Sequence, residues 1–269
     1  MGVYALSGVR FRKAVFLLGT AALCLWVSPW GIIPMAVCAV VSYFCGRLIH
    51  RFADKKGLKR LWLILSVVVN MAVLLVFIRS GHSSYDVTSI FTGKGAMLKL
   101  FPVWGAGVFT LHGISYCMDI YRKEIEPEKN FLLVSQYICF FPCFSCGPIL
   151  RFSDMSEQLR KPVITSGKLA EGIKLMLIGF AEKLFLSDPM YEMWQHIRGV
   201  SADSLSAACA WLGIIAFSFA FYYELRAYSH IAQGIGSMLG FELPDNFDLP
   251  FMSAGFNELI KRFACTFYS

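Results

Sequence analysis

Residues 14–46 read AVFLLGTAALCLWVSPWGIIPMAVCAVVSYFCG and contain no Asp, Glu, Lys or Arg. A membrane-spanning helix needs about 20 apolar residues, so this stretch is too long for a single span. Ser28-Pro29-Trp30-Gly31 places helix-breaking residues near its middle. The stretch therefore predicts a tight hairpin of two membrane helices with both ends on one side. A signal peptide is the alternative, because Arg10, Arg12 and Lys13 precede the apolar run.

The rest of the chain has the same apolar character. It is 57% hydrophobic and 16% charged, with a mean hydropathy of +0.58, whereas soluble domains carry about 25% charged residues. The blocks lack the alternation of a membrane β-barrel. We predict an all-α integral membrane protein in which residues 1–269 form a single polytopic membrane domain, a multi-helix bundle. Further uncharged apolar blocks occupy residues 61–78, 100–118, 131–150 and 205–223.

Basic loops predict the orientation of this bundle. Residues 47–60 contain six basic side chains against the single acid Asp54, which is typical of a cytoplasmic loop. The hairpin then places Arg10, Arg12 and Lys13 in the cytoplasm as well, and residues 79–99 fall outside. We expect a multi-pass protein of the cell membrane. The net charge of +7 is explained by these loops, so the sequence does not predict binding of nucleic acid.

Three later segments leave alternatives open. A full span at 131–150 would place Arg151 and Arg160 outside, against the rule for basic residues, whereas Pro142, Gly147 and Pro148 permit a broken or re-entrant segment. Residues 169–186 fit an amphipathic helix at the membrane interface, or a bundle helix with one polar side. Residues 231–241 are too short to span, and their glycines permit close helix contact.

One cysteine pair has the spacing of a metal or redox site. Cys143 and Cys146 form a C-x-x-C pattern, but a structural zinc site needs four ligands, and no second cysteine or histidine pair follows at a suitable distance. We therefore expect no metal site.

Several strings, in their order and spacing, resemble the membrane-bound O-acyltransferases. These strings are DIYR at 119–122, FFP at 140–142, GPILRFSD at 147–154 and GFAEKL at 179–184. YSHIAQGIGSMLGF at 228–241 and LPDNF at 243–247 are similar to the bacterial branch that acetylates alginate or transfers D-alanine to teichoic acid. The resemblance extends from the basic-loop hairpin to about Phe263.

The resemblance implies a membrane-bound O-acyltransferase. It would transfer an acyl group, with acetyl expected, from a thioester donor to hydroxyls of an exported polysaccharide or cell-envelope polymer. It implies no bound cofactor, and its partners would be the bilayer and other acylation or export proteins. A neutral histidine would accept the hydroxyl proton. Candidate residues for a substrate funnel are Asp119, Tyr121, Arg122, Gly147, Pro148, Arg151 and Tyr228.

The sequence departs from the family where its catalytic residues are expected. Ala264 stands where the bacterial branch carries a histidine, and the chain ends at Ser269, before the family's second histidine. His230 stands where the family usually has Asp and is the weak substitute candidate. We therefore expect an MBOAT-like bundle that is incomplete at its C-terminus and inactive alone. The alternative is a non-catalytic scaffold or pseudoenzyme partner of an exporter or intact acyltransferase.

Overall fold

The computed structural model describes residues 9–27, 31–79, 105–144, 147–148, 150–201, 204–263 and 265. Within these ranges every regular element is a helix. Three helices are long and apolar enough to cross a membrane: Ile32–Arg51, Lys56–Val76 and Ala207–Met238. The prediction of an all-α membrane protein is confirmed.

The helices follow one another with short connections. In chain order they are α1 (Val9–Val27), α2 (Ile32–Arg51), α3 (Lys56–Arg79), α4 (Ala106–Arg122), α5 (Phe131–Ile138), a 3-10 turn (Phe141–Cys143), α6 (Phe152–Arg160), α7 (Ser166–Ala181), a π-helical turn (Glu182–Ser187), α8 (Asp188–Arg198), α9 (Ala207–Met238), a second 3-10 turn (Pro250–Met252) and α10 (Phe256–Phe263).

The stretch predicted as a hairpin contains two helices, α1 and α2, of which α2 is among those apolar and long enough to cross a membrane. Helices α1 and α2 lie on either side of the predicted break, and residues 28–30 of that break lie outside the described residues. The two helices are in contact, with Cys24 Sγ 3.8 Å from Met35 Sδ. Helix α2 then packs closely on α4. A Cβ atom at Gly46 would lie 2.8 Å from Ile120 Cδ1, and one at Gly113 would lie 2.5 Å from Ser42 Oγ. Small residues thus let the helices pack closely. In lipid, where the hydrophobic effect does not drive helices together, close packing stabilises their contact.

The segment at 131–150 has the broken form. Helix α5 has eight residues, about 12 Å of length at 1.5 Å per residue, against a hydrocarbon core of about 30 Å. The chain then returns, and the Tyr137 hydroxyl donates to the carbonyl of Leu150 at 2.7 Å. The helix begins on Asn130, whose side chain accepts from the N–H of Leu132, and ends before the 3-10 turn that contains Pro142.

Glu128 joins the loop before α5 to α6. Its Oε1 accepts from the N–H groups of Lys129 and Asn130, and its Oε2 lies 2.6 Å from Arg160 Nη2. Partial burial raises the pKa of the Glu128 carboxyl, but the hydrogen bonds from Asn130, Arg160 and Lys129 more than offset burial and leave this pKa below its usual value. Glu128 is therefore ionised at neutral pH. Its contact with Arg160 joins the loop before the broken segment to the end of α6, the helix that follows the segment.

The last long helix differs from the prediction. We predicted a span at 205–223 and a separate short element at 231–241, but α9 runs without interruption from Ala207 to Met238. Its 32 residues correspond to about 48 Å, longer than the hydrocarbon core. The helix continues through the polar stretch because side chains of that stretch find partners on the π-helical turn. It ends where Gly240 takes a φ of +94°, a conformation that favours glycine.

Helix α7 packs against α9 through its glycines. Gly172 and Gly179 are buried there, whereas Ile173, Leu177 and Phe180 are 45–64% exposed. An interfacial helix would turn its polar side to water. Glu171 and Lys174 of α7 are exposed, whereas Glu182 and Lys183 in the turn that follows face α9, so both interpretations of residues 169–186 stay predictions.

We expect single cysteines at Lys56, Lys129 and Arg151, each in a cysteine-free background, to behave alike. All three should resist a membrane-impermeant maleimide in intact cells and react after permeabilisation, because Glu128 and Arg160 join the loop to α6 on one end of the bundle and the basic loops predict that end to be cytoplasmic. Ser84→Cys, in the segment predicted outside, is the positive control. Protection at Lys129 with labelling at Arg151 would contradict the broken segment, and labelling at Lys56 would reverse the topology.

Candidate functional site

Charged side chains from two elements meet along the contact between α7 and α9. Glu182 and Lys183 are the first residues of the π-helical turn that follows α7. Glu224, Arg226 and His230 lie on the facing side of α9. Ionisable residues next to apolar helices are expensive and usually functional, and π-helical turns occur frequently at functional sites. We call these five residues, with Ser187 and Asp188, the charged cluster.

Glu182 is the centre of the first half of the cluster. Its Oε2 lies 2.8 Å from His230 Nδ1, and its Oε1 lies 3.2 Å from Arg226 Nε. Only 10% of the Glu182 side chain is exposed, against 17% for His230. Arg226 also donates to the Tyr222 hydroxyl at 3.3 Å and lies over the Tyr222 ring. Glu182 is thus a nearly buried carboxylate shared by a guanidinium and an imidazole.

Glu224 is the centre of the second half. Its Oε2 accepts from Lys183 Nζ at 2.6 Å and from Ser187 Oγ at 2.7 Å. Lys183 also pairs with Asp188. The Glu224 side chain is 6% exposed, and within the described ranges its Oε1 has no hydrogen-bond partner. A buried carboxylate oxygen without a partner is costly, so this oxygen is where the cluster can still receive a donor.

Glycines bring the two helices close enough for these contacts. A Cβ atom at Gly179 would lie 2.6 Å from the carbonyl oxygen of Ala227, and one at Gly234 would lie 2.6 Å from that of Gly172. Both contacts are with backbone atoms, which cannot move aside without separating the helices. The short distance between the backbones places the carboxylates of one element within reach of the cations of the other.

The pairing of Glu182 with His230 determines what the imidazole can do. An ionised carboxylate only accepts hydrogen bonds, so His230 Nδ1 carries the proton in their 2.8 Å contact. In the neutral ring this leaves Nε2 as the nitrogen that can accept a proton. A base oriented by a carboxylate is the arrangement that activates hydroxyl nucleophiles in many acyl-transfer sites.

The residues predicted to line a funnel fall into two groups. Tyr228 is half-buried and His230 lies nearby on α9, whereas Asp119, Tyr121 and Arg122 end α4. The C-terminal part of α4 is engaged within the protein. Asp119 is buried and interacts electrostatically with Arg151 and Arg122, Arg122 lies 3.8 Å from Glu124, and Lys59 lies 4.4 Å from the centre of the Tyr121 ring.

The other funnel candidates lie at the broken segment. Gly147 and Pro148 are buried, and a Cβ atom at Gly147 would lie 2.5 Å from Cys143 Cα, so this position requires glycine. Arg151 is exposed at the beginning of α6. Asp119 at the end of α4 therefore lies near enough to Arg151 at the beginning of α6 to interact with it electrostatically. Ala264 lies outside the described residues.

Sequence reasoning found His230 but missed its partners. Glu182 and Lys183 were assigned to the polar side of an interfacial helix, and Glu224 was noted only as polar material beside a span. The signal was available, because charged residues in two apolar segments need partners of opposite charge. What the sequence could not give was the distance between the two helices, which depends on backbone contacts at glycines.

The fold and the charged cluster define an all-α membrane protein with buried charges beside its longest apolar helix. Curated proteins similar to the chain narrow this class. This chain is 29% identical over 267 residues to the probable alginate O-acetylase AlgI of Pseudomonas aeruginosa, and the match covers 97% of this chain and 51% of that protein. It is 26% identical over 262 residues to the peptidoglycan O-acetyltransferase of Helicobacter pylori, covering 87% and 49%.

A teichoic acid D-alanyltransferase of Streptococcus thermophilus is 26% identical over 220 residues, covering 79% of this chain and 49% of that protein. No protein-family model matches the chain. The chain spans about half the length of these curated relatives. The predicted resemblance to the membrane-bound O-acyltransferases is confirmed, since the relatives are named for alginate O-acetylation, peptidoglycan O-acetylation and teichoic acid D-alanylation.

We expect Lys183→Met to lower the free energy of unfolding by up to about 3–5 kcal/mol, because it leaves Glu224 without its cation in a buried site. The double variant Lys183→Met/Glu224→Leu should recover most of this loss, since the buried carboxylate is removed and Asp188, the other partner of Lys183, is 42% exposed. The measurement is reversible unfolding of the chain in mixed micelles.

Lys174→Met is the matched control, because Lys174 pairs with Glu171 at 3.8 Å in an exposed position on α7. Exposed pairs contribute about 0–1 kcal/mol. Equal losses for Lys183→Met and Lys174→Met would show that the buried pair does not stabilise the contact between α7 and α9.

Proposed function

We propose that the chain functions as part of a membrane-bound O-acyltransferase that transfers an acyl group, in the first instance acetyl, to hydroxyls of an exported polysaccharide or cell-envelope polymer. The observation that carries the proposal is the similarity to an alginate O-acetylase over 97% of this chain. A second relative is named for peptidoglycan O-acetylation. The donor in this proposal is an acyl thioester, and the chain is a multi-pass protein with residues 47–60 in the cytoplasm.

Acyl transfer to a hydroxyl needs a base, and the charged cluster contains one oriented imidazole. Glu182 fixes His230 through Nδ1, and Arg226 neutralises the same carboxylate. A hydroxyl held at Nε2 could lose its proton as it attacks the thioester carbonyl, with the thiolate as leaving group. This arrangement supports His230 as the substitute base, while Ala264 cannot accept a proton.

We further propose that the 269 residues alone do not turn over. General base catalysis contributes about 10²–10⁴-fold, and positioning of donor and acceptor can contribute at least as much. Residues 1–269 correspond to about half the length of these relatives, and the proposal concerns these residues expressed by themselves.

A non-catalytic scaffold or pseudoenzyme partner of an exporter or intact acyltransferase is the second candidate. The observation that favours it is that most charges of the cluster are paired within the cluster. Both oxygens of Glu182 and the ammonium of Lys183 are engaged between the π-helical turn and α9. Such pairs can serve as a brace between helices without any substrate.

We expect membranes that contain only this chain to show background acyl transfer from a labelled acetyl thioester to exported glycan. Ala264→His should also stay at background, because one added imidazole does not supply the positioning groups. A full-length alginate O-acetylase in the same host is the positive control for the assay.

The parent chain is compared with His230→Ala. Turnover that disappears in His230→Ala would contradict the expected inactivity and identify the Glu182–His230 pair as a working base. Turnover that survives in His230→Ala would contradict both the inactivity and the role of His230.

A further inference from the structure

A cleft of about 540 Å³ lies between the last turns of α2 and the loop before α5. It is separate from the charged cluster and from the funnel candidates. Its basic lining comes from Arg47, His50 and Arg51 on α2 and from Lys129 on the loop, while Phe44 lines its apolar side. Glu126 is the carboxylate in the lining. Arg47, Arg51 and Lys129 are thus three cations facing one anion.

The two walls of the cleft are held together by a buried tyrosine. The Tyr43 hydroxyl donates to the carbonyl of Lys129 at 3.0 Å and accepts from Arg47 Nη1 at 2.8 Å. The edge of the Tyr43 ring packs with Phe131 at a centroid distance of 5.2 Å. The cleft is therefore a built feature of the contact between α2 and α5, with its basic groups at fixed positions.

The cations of the cleft form no ion pair with Glu126 or with another described carboxylate. Among the residues that the structure describes, no carboxylate lies within 4.0 Å of the side-chain nitrogens of Arg47, Arg51 or Lys129. Glu128 is next in sequence to Lys129, but its carboxylate is bound to Arg160. Like charges four residues apart on a helix repel each other, as Arg47 and Arg51 do. An anion in the cleft would relieve this repulsion.

The position of the cleft indicates where the anion comes from. Helix α2 is one of the helices that are apolar and long enough to cross a membrane, and the basic residues occupy its polar end. Phe44 is 57% exposed, one turn before Arg47, on the side that leads toward the apolar part of α2. A basic pocket at the end of a membrane helix is suited to an anionic lipid headgroup.

We propose that this cleft binds an anionic phospholipid, with the phosphate between Arg47, Arg51 and Lys129 and an acyl chain along Phe44. The site needs both parts of the lipid. The basic groups contact the phosphate diester, and the apolar wall contacts hydrocarbon. The proposal does not depend on the acyltransferase activity, so either can fail alone.

The test is native mass spectrometry of the full chain in detergent, titrated with dioleoylphosphatidylglycerol or with dioleoylphosphatidylcholine of the same chain length. Each Lys or Arg near a membrane surface contributes about 1 kcal/mol to anionic lipid binding, which is about fivefold in affinity. We expect Arg51→Gln/Lys129→Gln to weaken phosphatidylglycerol binding about 25-fold. Lys55→Gln/Lys56→Gln removes the same charge from the neighbouring loop and should leave binding within about twofold.

Further experiments distinguish a bound lipid from a bound soluble phosphate, and a loss of binding from a loss of folding. Glycerol phosphate at millimolar concentration should not displace the lipid, and Phe44→Ala should weaken lipid binding. Arg51→Lys keeps the charge and should keep the binding. Equal affinity for the two lipids, equal losses in the cleft and control variants, or displacement by glycerol phosphate would each overturn the lipid proposal, the last by assigning the cleft to a soluble phosphate.

Discussion

The close approach of α7 and α9 is the contact on which the charged cluster depends. At Gly179 and Gly234 each helix meets backbone oxygen of the other, with no room for a side chain. Charges cannot be buried beside apolar helices without partners, and partners cannot meet unless the backbones are this close. The glycines therefore determine whether Glu182 and Glu224 are paired acids or uncompensated charges.

The two halves of the chain are held together by different kinds of contact. In the first half, α2, α3 and α4 pack on small residues, and Glu128 holds the returning segment against α6. In the second half, the π-helical turn allows two consecutive charged residues, Glu182 and Lys183, to reach separate partners on α9. The acyl transfer that we propose therefore has one candidate base, the imidazole of His230, which Glu182 contacts at 2.8 Å.

Much of this architecture follows from the sequence, because lipid imposes strict rules on apolar blocks. A helix on each side of residues 28–30 follows from the length of the apolar block and from the proline and glycine at its centre. The broken form at 131–150 is one of the two forms that Pro142 and Gly147 permit. The prediction for α9 was wrong, because we took the polar residues after 223 as the end of a membrane span. Those residues continue the helix because Glu182 and Lys183, more than 35 residues earlier, pair with them.

Side chains that act through partners distant in sequence were the hardest to predict. His230 could be named from its type and place, but its orientation by Glu182 depends on the register between α7 and α9, which no local pattern gives. For the basic cleft, the sequence likewise showed only that basic residues are concentrated in the loops, and not that they line one cleft. Its shape depends on Tyr43 joining α2 to the carbonyl of Lys129, a contact between residues on separate elements.

The nitrogen-15 NMR signals of the His230 side chain test the central claim most directly. The account predicts a proton on Nδ1, and a change in these signals in Glu182→Gln and in Gly179→Ala, since a methyl group at Gly179 would separate the helices. Gly107→Ala, where a Cβ atom meets nothing within 4 Å, should leave the signals unchanged. An unprotonated Nδ1 in the parent chain, or signals that do not respond to Gly179→Ala, would contradict the dependence of the charged cluster on the close helix contact.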